Sequence, residues 1–86
     1  MQTIDAEEAR TIVRESVTRI VPDADFSQVR PDERLRDVLE LDSLDFLSLV
    51  EILSERTGLP IDEDDYPRLD TLDGAVAFLV ERAGSR

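Results

Sequence analysis

Cysteine, histidine and lysine are all missing from the 86-residue sequence, and so is tryptophan. Without cysteine there are no disulfides, no thiolate nucleophile and no zinc site of the usual kind. Without histidine and lysine there is no imidazole base and no amine for a Schiff base, because all ten cationic side chains are arginines. No apolar stretch reaches the length of a membrane span or a signal-peptide core, since Glu, Asp or Arg interrupts each one. The expectation is a soluble cytoplasmic protein with no catalytic machinery of its own.

What is abundant is negative charge. The net charge is -11, and between Asp37 and Asp65 ten acids face the single base Arg56. The rest of the chain is nearly balanced, with eleven acids and nine bases. Such a field repels nucleic-acid phosphates and anionic lipid and steers the chain toward basic protein surfaces. Taken alone, a charge run is more often a solvated face. At this length the chain reads as one domain, residues 1–86, with a small core.

The apolar pattern is helical throughout. Asp5 and Glu8 have capping-box spacing, and Ala9, Ile12, Val13, Val17, Ile20 and Val21 recur three and four residues apart. Pro22 ends that first helix near Ile20. A long loop follows from Asp23 to about Glu40, anchored by Phe26, Val29, Leu35, Val38 and Leu39, with one helical turn near its end. The second helix starts from Asp42 as N-cap and runs to about Thr57, where Gly58 stops it. A short helix over Asp62 to Tyr66 is expected to be cut by Pro67. The last helix starts at Thr71, buries Leu72, Ala75, Val76, Leu79 and Ala83, and ends at Gly84. The fold class is all-α, a small four-helix bundle of three longer helices and one short one.

Ser43 stands where the acidic loop becomes the second helix, in "LELDSLDFL". On that helix Phe46, Leu49, Val50 and Leu53 share the core face, while Leu44, Ser48, Glu51 and Glu55 lie opposite. One exposed leucine is ordinary; beside Ser43 and among acids, Leu44 reads as part of a docking surface. Ser43 has no His, Lys or Cys to activate it, so it is a poor nucleophile by its own means. It is either a plain helix-start residue or the place where another enzyme attaches a group, for which the positive end of a helix dipole would suit a phosphate.

The combination of "LELDSLDFLSLVEIL", the preceding helix and long loop, and the following "TGLPIDEDDYPRLDTLDGAVAFL" resembles the acyl carrier protein family across nearly the whole chain. The resemblance implies that Ser43 carries a 4′-phosphopantetheine arm, transferred from coenzyme A by a phosphopantetheinyl transferase, with Asp42 and Leu44 completing the recognition motif. It implies that Asp45, Leu47, Ser48, Glu51 and Glu55 face partner enzymes of acyl-activating, acyltransferase or ketosynthase type through basic docking surfaces. A monomer that binds no nucleic acid is expected, the latter from the acidic field. The arm's thiol would explain how a chain without cysteine handles thioesters. In the family the bundle shelters the acyl chain, for which Phe46, Val50 and Leu53 are candidates, although filled core is the reading preferred here. Phe46, Ser48 and Glu51 depart from the residues that many fatty-acid carriers have there, which fits a discrete carrier of a specialised or secondary-metabolite pathway.

Other readings are weaker. Peptidyl carriers usually have Gly-Gly ahead of the serine, where this chain has Glu40, Leu41 and Asp42. A stand-alone aminoacyl carrier stays open as an alternative, as does an unmodified acidic adaptor. "DEDDYPRLD" fails as a calcium loop because Tyr66 and Pro67 occupy positions that need an Asp or Asn and a glycine. No general base sits within a recognisable nucleophile motif, which disfavours a hydrolase.

Overall fold

A capped start and a blocked end define each long helix in the computed structural model, which describes residues 3–30 and 32–84. The extreme ends of the expected domain lie outside those residues. Helix α1 spans Ala6–Ile20; the Asp5 carboxylate accepts from the Glu8 N–H at 2.7 Å, and the Val21 N–H closes the last turn on the Val17 carbonyl at 2.8 Å, just before Pro22. Its core stripe is narrower than the periodicity suggests. Ala9, Val13 and Val17 are fully buried, whereas Ile12, Ile20 and Val21 are only half-buried at its edge. Ser16 joins the buried stripe and satisfies its hydroxyl by donating to the Ile12 carbonyl at 2.7 Å.

The long connection is pinned rather than loose. A short 3-10 segment, Phe26–Gln28, is followed by the single helical turn expected near the end, α2, Leu35–Val38. Leu35 is buried, and its N–H donates to the Asp70 carbonyl at 2.8 Å, which ties the connection to the start of the last helix. After α2 the chain reverses through Glu40 at φ 54, and the Leu41 N–H returns to the Arg36 carbonyl at 3.0 Å. That six-residue closure is the Schellman pattern, here with a glutamate in the left-handed position that glycine normally fills.

Helix α3, Ser43–Thr57, ends at Gly58 in the left-handed conformation, as expected, with its N–H on the Ser54 carbonyl at 2.8 Å. Helix α4, Leu72–Gly84, is capped by Thr71, whose Oγ1 accepts from the Gly74 N–H at 2.9 Å. Helix α1 packs against both α3 and α4. The expected short helix needs correction, because Pro67 does not cut it. The segment is a 3-10 helix that runs from Glu63 through Pro67 to Leu69. The fixed φ of proline lies in the 3-10 range, and Pro67 and Asp64, the residue three before it, are both exposed.

The core also contains Phe78, which the periodicity of α4 does not pick out. Because α1 and the Glu63–Leu69 segment both cover α4, the buried arc of that helix is wider than one stripe. Arg68 and Arg82 cross the Phe78 ring, with Cζ at 5.5 and 4.7 Å from its centroid. Among the described residues no helix is long and apolar enough to cross a membrane.

Candidate functional site

Ser43 is the first residue of α3 and is exposed. Its position follows from its two neighbours. Asp42 accepts from the Asp45 N–H at 2.8 Å, and Asp45 returns a carboxylate oxygen to the Asp42 N–H at 3.4 Å, closing a full capping box around it. Leu41, on the other side, is buried and anchors the entry. The serine is thus held between an anchored residue and a capped turn while its own side chain faces out.

The flanking candidates fall in two sets. Leu44 and Leu47 are the exposed large hydrophobics of the described chain, at 74% and 43%. Ser48, Glu51 and Glu55 are exposed as well, so that Leu44, Ser48, Glu51 and Glu55 form a strip roughly 16 Å long at the rise of an α-helix. Among the described residues neither Glu51 nor Glu55 has a basic partner, and Arg56 reaches away from them to Glu15 at 2.6 Å. Asp45 differs, because the capping box occupies its carboxylate and leaves it half-buried.

Beside Ser43 lies an open cleft of about 620 Å³ between α3 and the Glu63–Leu69 segment. Phe46 and Leu47 form one wall, and Tyr66 and Pro67 stand across from them. Phe46 meets Tyr66 edge to face, with centroids 5.5 Å apart and the rings at 79°. Of the three residues considered for a sheltering role, only Phe46 reaches this cleft; Val50 and Leu53 are filled core.

Two members of the site carry no signal in a linear reading. Tyr66 arrives with the 3-10 segment, which is held by the Asp65–Arg82 ion pair at 3.0 Å. Asp65 lies below the usual carboxylate range, chiefly because its carboxylate accepts the Asp62 N–H at 3.0 Å, with a smaller contribution from Arg82. Arg36, seven residues ahead of Ser43, points Nη2 at the serine hydroxyl from 3.4 Å. It lies one residue outside the acid-rich interval, and only the reversal at Glu40 carries it back. That reversal falls on a glutamate and not on the glycine or asparagine that marks such a turn in a sequence, so nothing along the chain signals it.

Chemically, the arrangement presents an exposed serine hydroxyl that accepts from a cation, and among the described residues no carboxylate is hydrogen-bonded to it.

A family model described as the phosphopantetheine attachment site matches residues 7–79. The acyl carrier protein of Solidesulfovibrio magneticus is 31% identical over 75 residues, covering 84% of this chain and 96% of that protein. The acyl carrier protein of Rubrobacter xylanophilus is 37% identical over 57 residues, covering 66% of this chain and 70% of its own. The solution structure of a candidate acyl carrier protein from Anaplasma phagocytophilum superposes with a TM-score of 0.82 at 28% identity, over 96% of this chain and 97% of that one.

Proposed function

The chain belongs to the acyl carrier protein family, whose prosthetic group is phosphopantetheine, and on that premise we propose that it is a discrete acyl carrier loaded at Ser43. The observation that carries the reading is the exposed serine at the capped start of α3, inside the matched span, with a guanidinium at its hydroxyl and a cleft beside it. The residues present fit the group. The hydroxyl is reachable, a cation stands where a phosphodiester would carry charge, and the neighbouring carboxylates of Asp42 and Asp45 are occupied by the capping box. When attached, the arm supplies a terminal thiol that holds acyl groups as thioesters.

Attachment requires an outside enzyme. The Ser43 O–H proton leaves, an Oγ–phosphorus bond forms at the pantetheine-bearing phosphorus of coenzyme A, and the pyrophosphate link breaks to release 3′,5′-adenosine diphosphate. The proton goes to a base of the transferase, because among the described residues only the donor Arg36 contacts that oxygen. Partner enzymes of a fatty-acid, polyketide or other secondary-metabolite pathway then dock on the Leu44, Leu47, Ser48, Glu51 and Glu55 surface. Unpaired acids there favour fast, salt-sensitive encounters with basic surfaces, and the limited apolar area favours easy release. A carrier that serves several enzymes in turn needs both.

The test is intact mass after incubation with coenzyme A, magnesium and a broad-specificity phosphopantetheinyl transferase, beside Ser43→Ala. One added phosphopantetheine on the wild type and none on the variant is the expected result. No addition to folded wild type, or equal addition to the variant, would reject Ser43 as the loaded residue.

A further inference from the structure

Guanidiniums around the cleft are mostly engaged by carboxylates. Arg34 holds Asp70 at 3.8 Å, Arg68 pairs with Glu81, and Arg82 holds Asp65 at 3.0 Å. Arg36 is different. Among the described residues it has no carboxylate within ion-pair distance, although Asp37 adjoins it in sequence and Glu63, Asp64 and Asp70 line the same cleft. Its side chain instead touches the Ser43 hydroxyl and the face of Phe46, with Cζ 5.3 Å from the ring centroid.

Two features fix the guanidinium there. The chain reversal at Glu40 returns the Leu41 N–H to the carbonyl of Arg36 itself, so the arginine backbone is tied to the entry of α3. The Phe46 ring beneath it is buried at 6% exposure and braced by Tyr66, so the surface on which the cation lies is itself held by the core. Ser43 engages a single donor of the guanidinium, on Nη2, at a long 3.4 Å, so among the described residues most of its N–H donors have no acceptor.

We propose that Arg36 is the counter-ion of the phosphodiester on Ser43 and that it turns the arm toward the cleft lined by Phe46, Leu47, Tyr66 and Pro67. This rests on Ser43 being the loaded residue. Loading adds an anion among Asp37, Glu40, Asp42 and Asp45, inside the acid-rich interval of the chain. The charged phosphodiester oxygens lie two bonds from the oxygen that Arg36 already touches. A planar guanidinium meets two of them with parallel N–H donors, a fork that an ammonium lacks, and it keeps its stacking on Phe46 while doing so. Arg36 is thus a positioning residue, acting on the direction of the arm and not on its chemistry.

The test compares loaded wild type, Arg36→Gln and Arg36→Lys by phosphorus NMR, with a phosphopantetheinylated peptide of Leu39 to Leu47 as the unpaired reference. Nitrogen-labelled arginine reports the Arg36 Nε–H before and after loading, mass spectrometry establishes loading in each sample, and thermal melts establish folding. The expected result is that loading moves the Arg36 Nε–H signal and slows its exchange with water. The wild-type phosphorus signal is expected to differ from the peptide's, Arg36→Gln to move it to the peptide's position, and Arg36→Lys to place it between. A wild-type phosphorus signal at the peptide's position, or one that Arg36→Gln leaves in place, overturns the proposal while the carrier reading stands. If Arg36→Gln does not fold, the wild-type Nε–H shift and the Arg36→Lys spectrum decide. Failure of wild type to accept the arm defeats the carrier reading and this inference with it.

Discussion

Two segments of the chain begin with the same Asp-x-x-Asp pattern, Asp42 to Asp45 and Asp62 to Asp65, and they build different helices. In both, the second aspartate returns a carboxylate to the N–H of the first, at 3.4 and 3.0 Å. The first start gives the Asp45 N–H to the Asp42 side chain, so the Asp42 carbonyl accepts from Phe46 at 3.0 Å, which is α spacing. The second gives the Asp65 N–H to the Asp62 main-chain carbonyl at 2.9 Å, which is 3-10 spacing. The residues downstream of each start account for the difference. Phe46, Leu49, Val50 and Leu53 carry an α-helix into the core, whereas beyond Asp65 the Glu63–Leu69 segment fully buries only Leu69 and turns Pro67 outward. A cap sets where a helix begins, and the apolar pattern behind it decides which helix it becomes.

The two starts also differ in what holds them. The second is clamped from a distance by Arg82, which reaches both the Asp65 carboxylate and the Pro60 carbonyl, the latter at 2.9 Å. The first is held by local bonds and leaves Ser43 outward. That suits the proposed attachment residue, which an outside enzyme would have to reach.

Gly74→Ala is expected to have the largest effect, and it breaks the second region alone. A β-carbon there collides with the main-chain carbonyl of Arg68, and a loss of about 1–3 kcal/mol is expected. Hydrogen exchange is expected to show lost protection in Glu63–Leu69 while α1 stays protected; an unchanged melting temperature would mean the segment has room to yield. Asp42→Ala is next, at about 1 kcal/mol for a lost N-cap. Asp62→Ala is expected to lose less, because a backbone bond and Arg82 still hold that turn, and equal losses in urea titrations would erase the contrast between the two starts. Glu40→Gly acts ahead of the first start by relieving a left-handed glutamate, and a gain of under about 1 kcal/mol is expected in thermal melts. A loss instead would show that Glu40 is not strained.

The smallest effect is that of Asp65→Asn, and it depends on pH. The folded pKa of Asp65 is lowered, first by the Asp62 N–H and then by Arg82. Its contribution is therefore complete above the ordinary carboxylate range and is lost as pH falls through the folded value. The stability gap between wild type and variant is expected at neutral pH and to close in acid. A gap that persists in acid would show that the carboxylate's charge is not what holds the segment.

Much of the architecture could be read along the chain because its determinants are local. Asp5, Asp42 and Thr71 cap the next turn, Pro22 and Gly58 end helices through their own backbone limits, and the α3 periodicity places Leu44, Ser48, Glu51 and Glu55 outward. Phe78 and the 3-10 course through Pro67 escaped that reading. A helix covered on two sides buries more than one stripe, and an exposed turn tolerates a missing N–H. The place of Ser43 at the head of α3 was legible, but its surroundings were not.

Sequence by itself determined the start and end of each long helix, the acidic surface and the serine at the head of α3, all through interactions within about one helical turn. Tertiary structure alone decided that Arg36 returns to Ser43, that Arg82 pins Asp65, and that Tyr66 meets Phe46 edge to face at the cleft. Each of those contacts joins elements separated by a chain reversal or a loop, and their distance along the chain carries no record of their distance in space.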